Sequence, residues 1–369
     1  MLRIFCSPSR YTQGPHATNS LGSEILKLGL SGPALIISGS SARALLSGVW
    51  SETLGEAGIG YTVFSFEGEC SSAEIARAGA AAALIGARLI IGAGGGKVLD
   101  TARAVAADLE LPVVNCPTIA SSDAPCSALS VVYSPEGVFE QYRIYGRNPE
   151  LVLVDTAVIA RSPTRYLAAG MGDALATWFE ARACSLSNAT NMRGGGSTQS
   201  ALALAELCYK TLLADGTGAM NALQQKVSDP ALERLVEANT LLSGLGFESS
   251  GLAAAHAIHN GLTTAPGTHH FMHGEKVAFG VIVQLMLEEQ PASVVEEVLR
   301  FSASVGLPTT FAGIGITEPT DEVLTRIAQR SVAPGETIHN EPFEVSAAMV
   351  VEALREANDA GESFPGTPR

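Results

Sequence analysis

The sequence predicts an α/β domain on a mostly parallel sheet over residues 1–162, followed by an all-helical domain over 163–369. Three observations carry this reading. Short apolar runs alternate with helical patterns through the first half, and strands alternating with helices build a parallel sheet covered on both faces. After Arg161 helical periodicity dominates and strand patterns vanish. With 369 residues the chain is long enough for two domains.

In chain order, ALIISGS (34–40) reads as a buried strand and SARALLSGVWSETLGEAG as the helix after it. TVFSFEG (62–68) is the next strand and SSAEIARAGAAAALIGA the next helix. LIIGAGGG (89–96), the helix VLDTARAVAADLE and the strand PVVNCPTI (112–119) follow. SALSVVYS, the turn PEG and VFEQYRIYG read as a hairpin, and LVLVDTAVI (151–159) closes the sheet. The second half reads as helices from GDALATWFEARACSL to ALREANDAGE, with a tail, SFPGTPR, expected to fray.

Composition narrows the class. The chain is 46% hydrophobic and 16% charged, with 38 glycines, as in a closely packed globular enzyme. A net charge of −14 argues against nucleic acid and anionic membrane surfaces as partners. No apolar run reaches the roughly twenty residues of a membrane helix, and the opening MLRIFCSPSRYTQG lacks an apolar core with a cleavage site. Six scattered cysteines without CxxC pairs fit a reducing cytoplasm.

Chemistry concentrates in a few stretches. In IIGAGGGKVLDTARAVA, a strand meets a helix through Gly94, Gly95 and Gly96. Such a turn lets backbone approach a pyrophosphate at a helix N-terminus, with Lys97 as an added cation. It is neither a Walker A motif, since Val98 stands where Ser or Thr would hold magnesium, nor a good GxGxxG; the plainer reading is a tight strand-to-helix turn. The loop TIASSDAPCSALS (118–130) follows the next strand, so both loops leave the strand ends where open α/β sheets bind ligands. Asp123, its one carboxylate, is a substrate contact or a turn-forming Asx residue.

Gly251 to Gly280 holds five of the seven histidines: His256, His259, His269, His270 and His273. His256 and His259 stand three apart and share a helix face; His273 opens the next helical pattern. Imidazole is the commonest metal ligand, but a catalytic zinc takes three protein ligands. A hydrogen-bonded histidine pair is the plainer alternative. Asp173, Thr177 and Glu180 lie at i, i+4 and i+7 of one helix, so Asp173 is either a further ligand or a helix N-cap.

GAGGGKVLDTA, TIASSDAPCSALSVVY, GMGDALATWFEARAC, ANTLLSGLGFESSGLAAAHAIHNGL, HHFMHGEKVAFG and GETIHN together resemble the glycerol dehydrogenases, the zinc branch of the iron-containing alcohol dehydrogenase superfamily. The resemblance runs in matching order over nearly the whole chain. It implies the dehydroquinate synthase-like, glycerol dehydrogenase-like fold, with metal and substrate between a dinucleotide-binding and a helical domain. It implies one zinc on Asp173, His256 and His273, and Asp123 on glycerol. It implies Gly96, Lys97, Thr118, Ser121, Ser127, Leu129 and Tyr133 at the nucleotide. It also implies a cytoplasmic homo-oligomer, an octamer, that oxidises glycerol to dihydroxyacetone with hydride transfer to NAD. Iron enzymes of the superfamily carry a further histidine four residues after the aspartate; Thr177 stands there and favours zinc.

One position departs from the family. The early strand commonly ends in an aspartate on the adenine ribose, but this chain has Gly39 and Ser40. An acidic residue there selects NAD, and a nearby Arg accommodates the phosphate of NADP. With Arg43 one turn on, NADP use is expected beside NAD. Rival readings are a dehydrogenase of another small diol or a 2-hydroxy acid, a dehydroquinate synthase-like lyase, and a non-catalytic binding protein. The lyase needs several basic residues around Asp173 and His256, where the sequence is mostly small and apolar.

Overall fold

A computed structural model describes residues 1–365; the last four residues of the tail expected to fray lie outside the described residues. By their contacts the residues fall into two compact units. A sheet unit comprises Ser7–Ser162 and Ala222–Gly244, and a helical unit comprises Met1–Cys6, Pro163–Asn221 and the chain from Leu245 onward. The units are therefore not the two continuous segments, 1–162 and 163–369, that the sequence suggested. The segment 222–244 has helical periodicity but packs with the sheet, and periodicity does not say which core a helix joins.

The sheet unit has strands β1 (Tyr11–Gly14), β2 (Ala34–Ser38), β3 (Tyr61–Ser65), β4 (Leu89–Gly94), β5 (Val113–Pro117) and β8 (Leu151–Asp155). They lie in the order β1-β8-β5-β4-β2-β3, every pair parallel. The hairpin β6 (Leu129–Tyr133) and β7 (Phe139–Ile144) is a separate antiparallel pair. β2, β4, β5 and β8 are buried at every residue, as strands covered on both faces must be. Alternation then divides the core. Ile36, Leu89 and Ile91 face one layer with Trp50 and Leu54, while Leu35, Ile37 and Ile90 face the other with Ile75 and Val105. Those layers come from α1 (Leu21–Lys27), α2 (Ser40–Glu56), α3 (Ser72–Leu84) and α4 (Gly96–Asp108). β1 was not foreseen. YTQG has no apolar alternation, and its strand state comes from parallel pairing with β8.

α5 (Thr156–Ile159) leaves the sheet. The helices that follow are α6 (Thr164–Ser187), α7 (Gln199–Gln225), α8 (Pro230–Glu237), α9 (Ser243–Ser250), α10 (Ala254–Leu262) and α11 (His273–Leu287). Then come α12 (Ala292–Val305), α13 (Asp321–Ser331) and α14 (Ala347–Ser363). Within the helical unit α6 and α11 approach at two glycines. A Cβ on Gly274 would lie 1.8 Å from the Ala169 carbonyl oxygen, and one on Gly172 would lie 2.2 Å from the Gly274 carbonyl oxygen. No helix among the described residues is long and apolar enough to cross a membrane.

Candidate metal and nucleotide sites

The glycine contact sets the first site. Gly172 and Gly274 each neighbour a polar residue, Asp173 on α6 and His273 at the start of α11. Close backbone approach therefore brings those two side chains together, with His273 Nε2 3.1 Å from Asp173 Oδ1. His256, on α10, places its Nε2 3.5 Å from the same oxygen. One donor atom from each of the three residues lies within 4.8 Å of the others. Asp173 is buried, His256 half-buried and His273 exposed, so the cluster opens on one side. Asp173 sits well inside α6, so the N-cap reading of this residue does not hold.

The start of α10 is held from several sides. Glu180 Oε1 accepts the Ala253 and His256 amides at 2.8 and 3.0 Å, Glu341 Oε1 accepts Ala254 N–H at 3.0 Å, and Gln284 Oε1 accepts Ala255 N–H at 3.1 Å. These are the amides a helix start leaves without intrahelical partners. Glu180 also meets His256 directly, its Oε2 2.6 Å from Nδ1. A carboxylate can only accept, so Nδ1 carries a proton, and Nε2 is the nitrogen left facing Asp173.

The electrostatics are those of three groups forced together. Burial alone would raise the Asp173 carboxyl, yet the His273 charge and hydrogen bonds from His256 and His273 hold it well below the usual range. Burial opposes protonation of His256, but Glu180 and Asp173 outweigh it and push the imidazole up. His259 goes the other way. Burial first, then the neighbouring charges of His273 and Lys276, keep its ring neutral.

The donor set fits a cation. Metal–nitrogen and metal–oxygen bonds of about 2.0–2.2 Å at tetrahedral angles separate ligand atoms by roughly 3.3 Å, and the two separations from Asp173 Oδ1 bracket that value. Thr177, one turn after Asp173, is buried. His269 and His270 are exposed on a separate 3-10 turn, Thr268–His270.

In the sheet unit several of the expected nucleotide residues follow the ends of β2, β4 and β5, while Leu129 and Tyr133 lie on the separate hairpin. β2, β4 and β5 are parallel and in register, Ser38 opposite Ala93 and Gly94 opposite Pro117. Gly39, Gly94 and Thr118 therefore leave the sheet at its carboxyl edge. Strand order reverses between β2 and β4, the switch point where such sheets take ligands. Gly95 precedes α4 and Gly96 opens it; a Cβ on Gly95 would meet the Ile119 side chain at 2.9 Å. Lys97 forms an ion pair with Glu69. Ser121 is half-buried beside Asp123, Ser127 is buried with its hydroxyl on the Ala124 carbonyl at 3.2 Å, and Leu129 and Tyr133 bound β6. Gly39 precedes α2 and Ser40 opens it exposed, while Arg43 Nη1 donates to Ser65 Oγ, 3.2 Å away at the end of β3.

Asp123 lies just before the 3-10 turn Ala124–Cys126, and Ser243 Oγ donates to its Oδ2 at 2.9 Å. Asn239 Nδ2 holds the Ala120 carbonyl of the same loop at 3.2 Å. Both partners come from the segment that packs with the sheet, which sequence reasoning had placed in the helical domain. Glu180 was also missed, although its spacing from Asp173 carried the signal.

A parallel-sheet unit with a glycine turn at its switch point, and a helical unit with a carboxylate–imidazole cluster, fit the class of metal-dependent dehydrogenases. The iron-containing alcohol dehydrogenase family matches residues 8–156. A glycerol dehydrogenase of Pseudomonas putida is 51% identical over 364 residues, 99% of either chain. One from Escherichia coli O6:H1 is 50% identical with the same coverage. The crystal structure of glycerol dehydrogenase from Schizosaccharomyces pombe, 38% identical, superposes with a TM-score of 0.94 over 98% of this chain and 92% of its own. This chain belongs to the glycerol dehydrogenase family and is an oxidoreductase.

Proposed function

We propose that the chain oxidises glycerol to dihydroxyacetone, passing hydride to a nicotinamide dinucleotide, with one zinc ion on Asp173, His256 and His273. The observation that carries this is the meeting of these three donors, from three helices, within 4.8 Å. A metal held there would supply Lewis-acid chemistry, lowering the pKa of a substrate hydroxyl. The protein's part is positional. Asp173 supplies the negative charge that a cation needs, His256 is aimed by Glu180, and the open side of the cluster leaves room for a substrate oxygen. Asp123, held by Ser243, accepts a terminal hydroxyl and orients the carbon to be oxidised. Gly94, Gly95 and Gly96 admit the pyrophosphate to the start of α4, and Lys97, Thr118, Ser121, Ser127, Leu129 and Tyr133 line the rest of the dinucleotide. With Gly39 in place of a carboxylate, NADP serves beside NAD. Thr177 favours zinc over iron. The enzyme works in the cytoplasm as a homo-oligomer, an octamer by family resemblance, which light scattering tests.

The deciding experiment pairs metal analysis with nicotinamide absorbance over a panel of diols, 2-hydroxy acids and both dinucleotides. His256→Ala should lose zinc and lower kcat/KM for glycerol by about a thousandfold, as several kcal/mol of lost charge stabilisation requires. His269→Ala, on the separate turn, should keep both. Zinc retained in His256→Ala, or no glycerol-dependent reduction by the wild type, would refute the reading.

A further inference from the structure

The two imidazoles of the cluster are held in different ways. His256 rests directly on a carboxylate, Glu180. His273 has no carboxylate on its Nδ1; it meets a second imidazole, with His259 Nε2 3.0 Å away. Behind His259 a longer chain continues. His259 Nδ1 is 3.1 Å from Asn260 Oδ1, Asn260 Nδ2 donates to Glu336 Oε2 at 2.9 Å, and Glu336 Oε1 forms an ion pair with Arg330.

This chain has only one direction. An ionised carboxylate accepts and never donates, so Asn260 must turn its amino group to Glu336 and its carbonyl oxygen to His259. A carbonyl oxygen also only accepts, so the His259 proton sits on Nδ1 and its Nε2 is a lone pair. That lone pair accepts from His273, which places the His273 proton on Nδ1. In the neutral ring the remaining nitrogen, Nε2, which lies 3.1 Å from Asp173 Oδ1, then carries the lone pair that a cation would take. The opposite tautomer would aim an N–H at the cation.

We propose that Asn260 is a positioning residue which, through His259, sets His273 in the tautomer and ring orientation that bind metal through Nε2. The proposal rests on the reading of Asp173, His256 and His273 as ligands. Partners of this kind behind a ligating histidine typically change metal affinity by about 10–100-fold. The polarity of the chain is what distinguishes this role from simple packing. Glu336→Gln allows the Asn260 amide to turn over and reverse every proton down to His273. The double variant N260D/E336Q exchanges the two groups, so an amide again faces a carboxylate and an acceptor again faces His259.

The test measures zinc affinity of the full-length enzyme, stripped of metal, by competition with a chromophoric chelator, with melting of the metal-free forms alongside. Asn260→Leu should bind zinc about 10–100-fold more weakly, Glu336→Gln and Asn260→Asp should also weaken it, and N260D/E336Q should recover most of the loss. Affinities within twofold of wild type in Asn260→Leu and Glu336→Gln would overturn the proposal. If Asn260→Leu fails to fold, the exchange pair decides. A double variant tighter than both single variants supports the proposal, and any other order overturns it. His256→Ala is the control for the underlying reading: if it binds zinc like the wild type, the ligand set is wrong, whatever Asn260 does.

Discussion

The two candidate sites are built by opposite means. The metal cluster is made of side chains whose positions are over-determined. Glu180, Glu341 and Gln284 hold the start of α10, and glycine contacts set α11 against α6. The nucleotide edge is made of backbone. Its residues are mostly glycine, serine and threonine at the ends of parallel strands, and its cation, Lys97, is engaged with Glu69. A glycine shows the contrast best. Adding a Cβ to Gly274 drives it to 1.8 Å from a carbonyl oxygen, whereas Gly39 has nothing within 4 Å of the same atom. A site of packed side chains tolerates little at any position, while a backbone site can change specificity at an open one.

Four substitutions probe that contrast, in descending order of effect. Gly274→Ala should be the most damaging. The obstacle is backbone, which cannot rotate aside, so overpacking costs about 3 kcal/mol or more, and metal binding should be lost with it because Asp173 and His273 separate. Calorimetry and metal analysis of the purified variant check this. A variant that melts like the wild type and keeps zinc would show that the helix contact does not set the site.

Glu341→Gln tests the burden of burying charge around α10. Burial, with Glu288 and Glu180 nearby, raises the Glu341 carboxyl to about 8. A carboxyl raised in the folded state holds a proton that the unfolded chain has released. Stability on this account is therefore full below the ordinary carboxylate range and falls as pH rises toward 8. Between pH 6 and 8 the loss is about 2 kcal/mol. Glu341→Gln should flatten that part of the stability profile, measured by denaturant unfolding across pH. Identical slopes in variant and wild type would remove the buried carboxyl as the cause.

Asp123→Asn carries the comparison into the sheet unit. If Asp123 holds a substrate hydroxyl as proposed, the loss of a hydrogen bond to a charged group, about 1.5–3 kcal/mol, should raise KM for glycerol about 10–100-fold while bound metal stays at the wild-type level. Zinc lost from this variant would place Asp123 in the wrong site.

The smallest effect is expected at Gly39→Asp. The position is open, so the fold should be untouched. A carboxylate there should repel the phosphate of NADP by up to about 4 kcal/mol at 4 Å separation, less at this exposed edge, so roughly a tenfold drop in NADP efficiency is expected. Steady-state rates with both dinucleotides decide it. Wild-type rejection of NADP by a thousandfold, unchanged by Gly39→Asp, would end the argument from the missing carboxylate.

Alternation and glycine placement made the parallel sheet, its covering helices and the β4–α4 turn legible, because those signals depend on neighbours a few residues apart. The histidine concentration around 256–273 was equally plain, since the positions of the histidines along the chain expose it. Residues alone did not choose between ligand and N-cap for Asp173. That choice is one of distance, and about eighty residues separate Asp173 from His256 in sequence while 3.5 Å separates their side-chain atoms. The same holds for β1, whose strand state comes from β8, and for 222–244, whose periodicity marks a helix without marking its core. Glu180, Asn260 and Glu336 look in sequence like ordinary polar residues of helices and turns. Their roles follow from hydrogen bonds made across helices, and the direction of such bonds is set by what stands opposite in space. Local pattern determines which elements form and where backbone must be free; packing determines which polar atoms meet, and with them the chemistry.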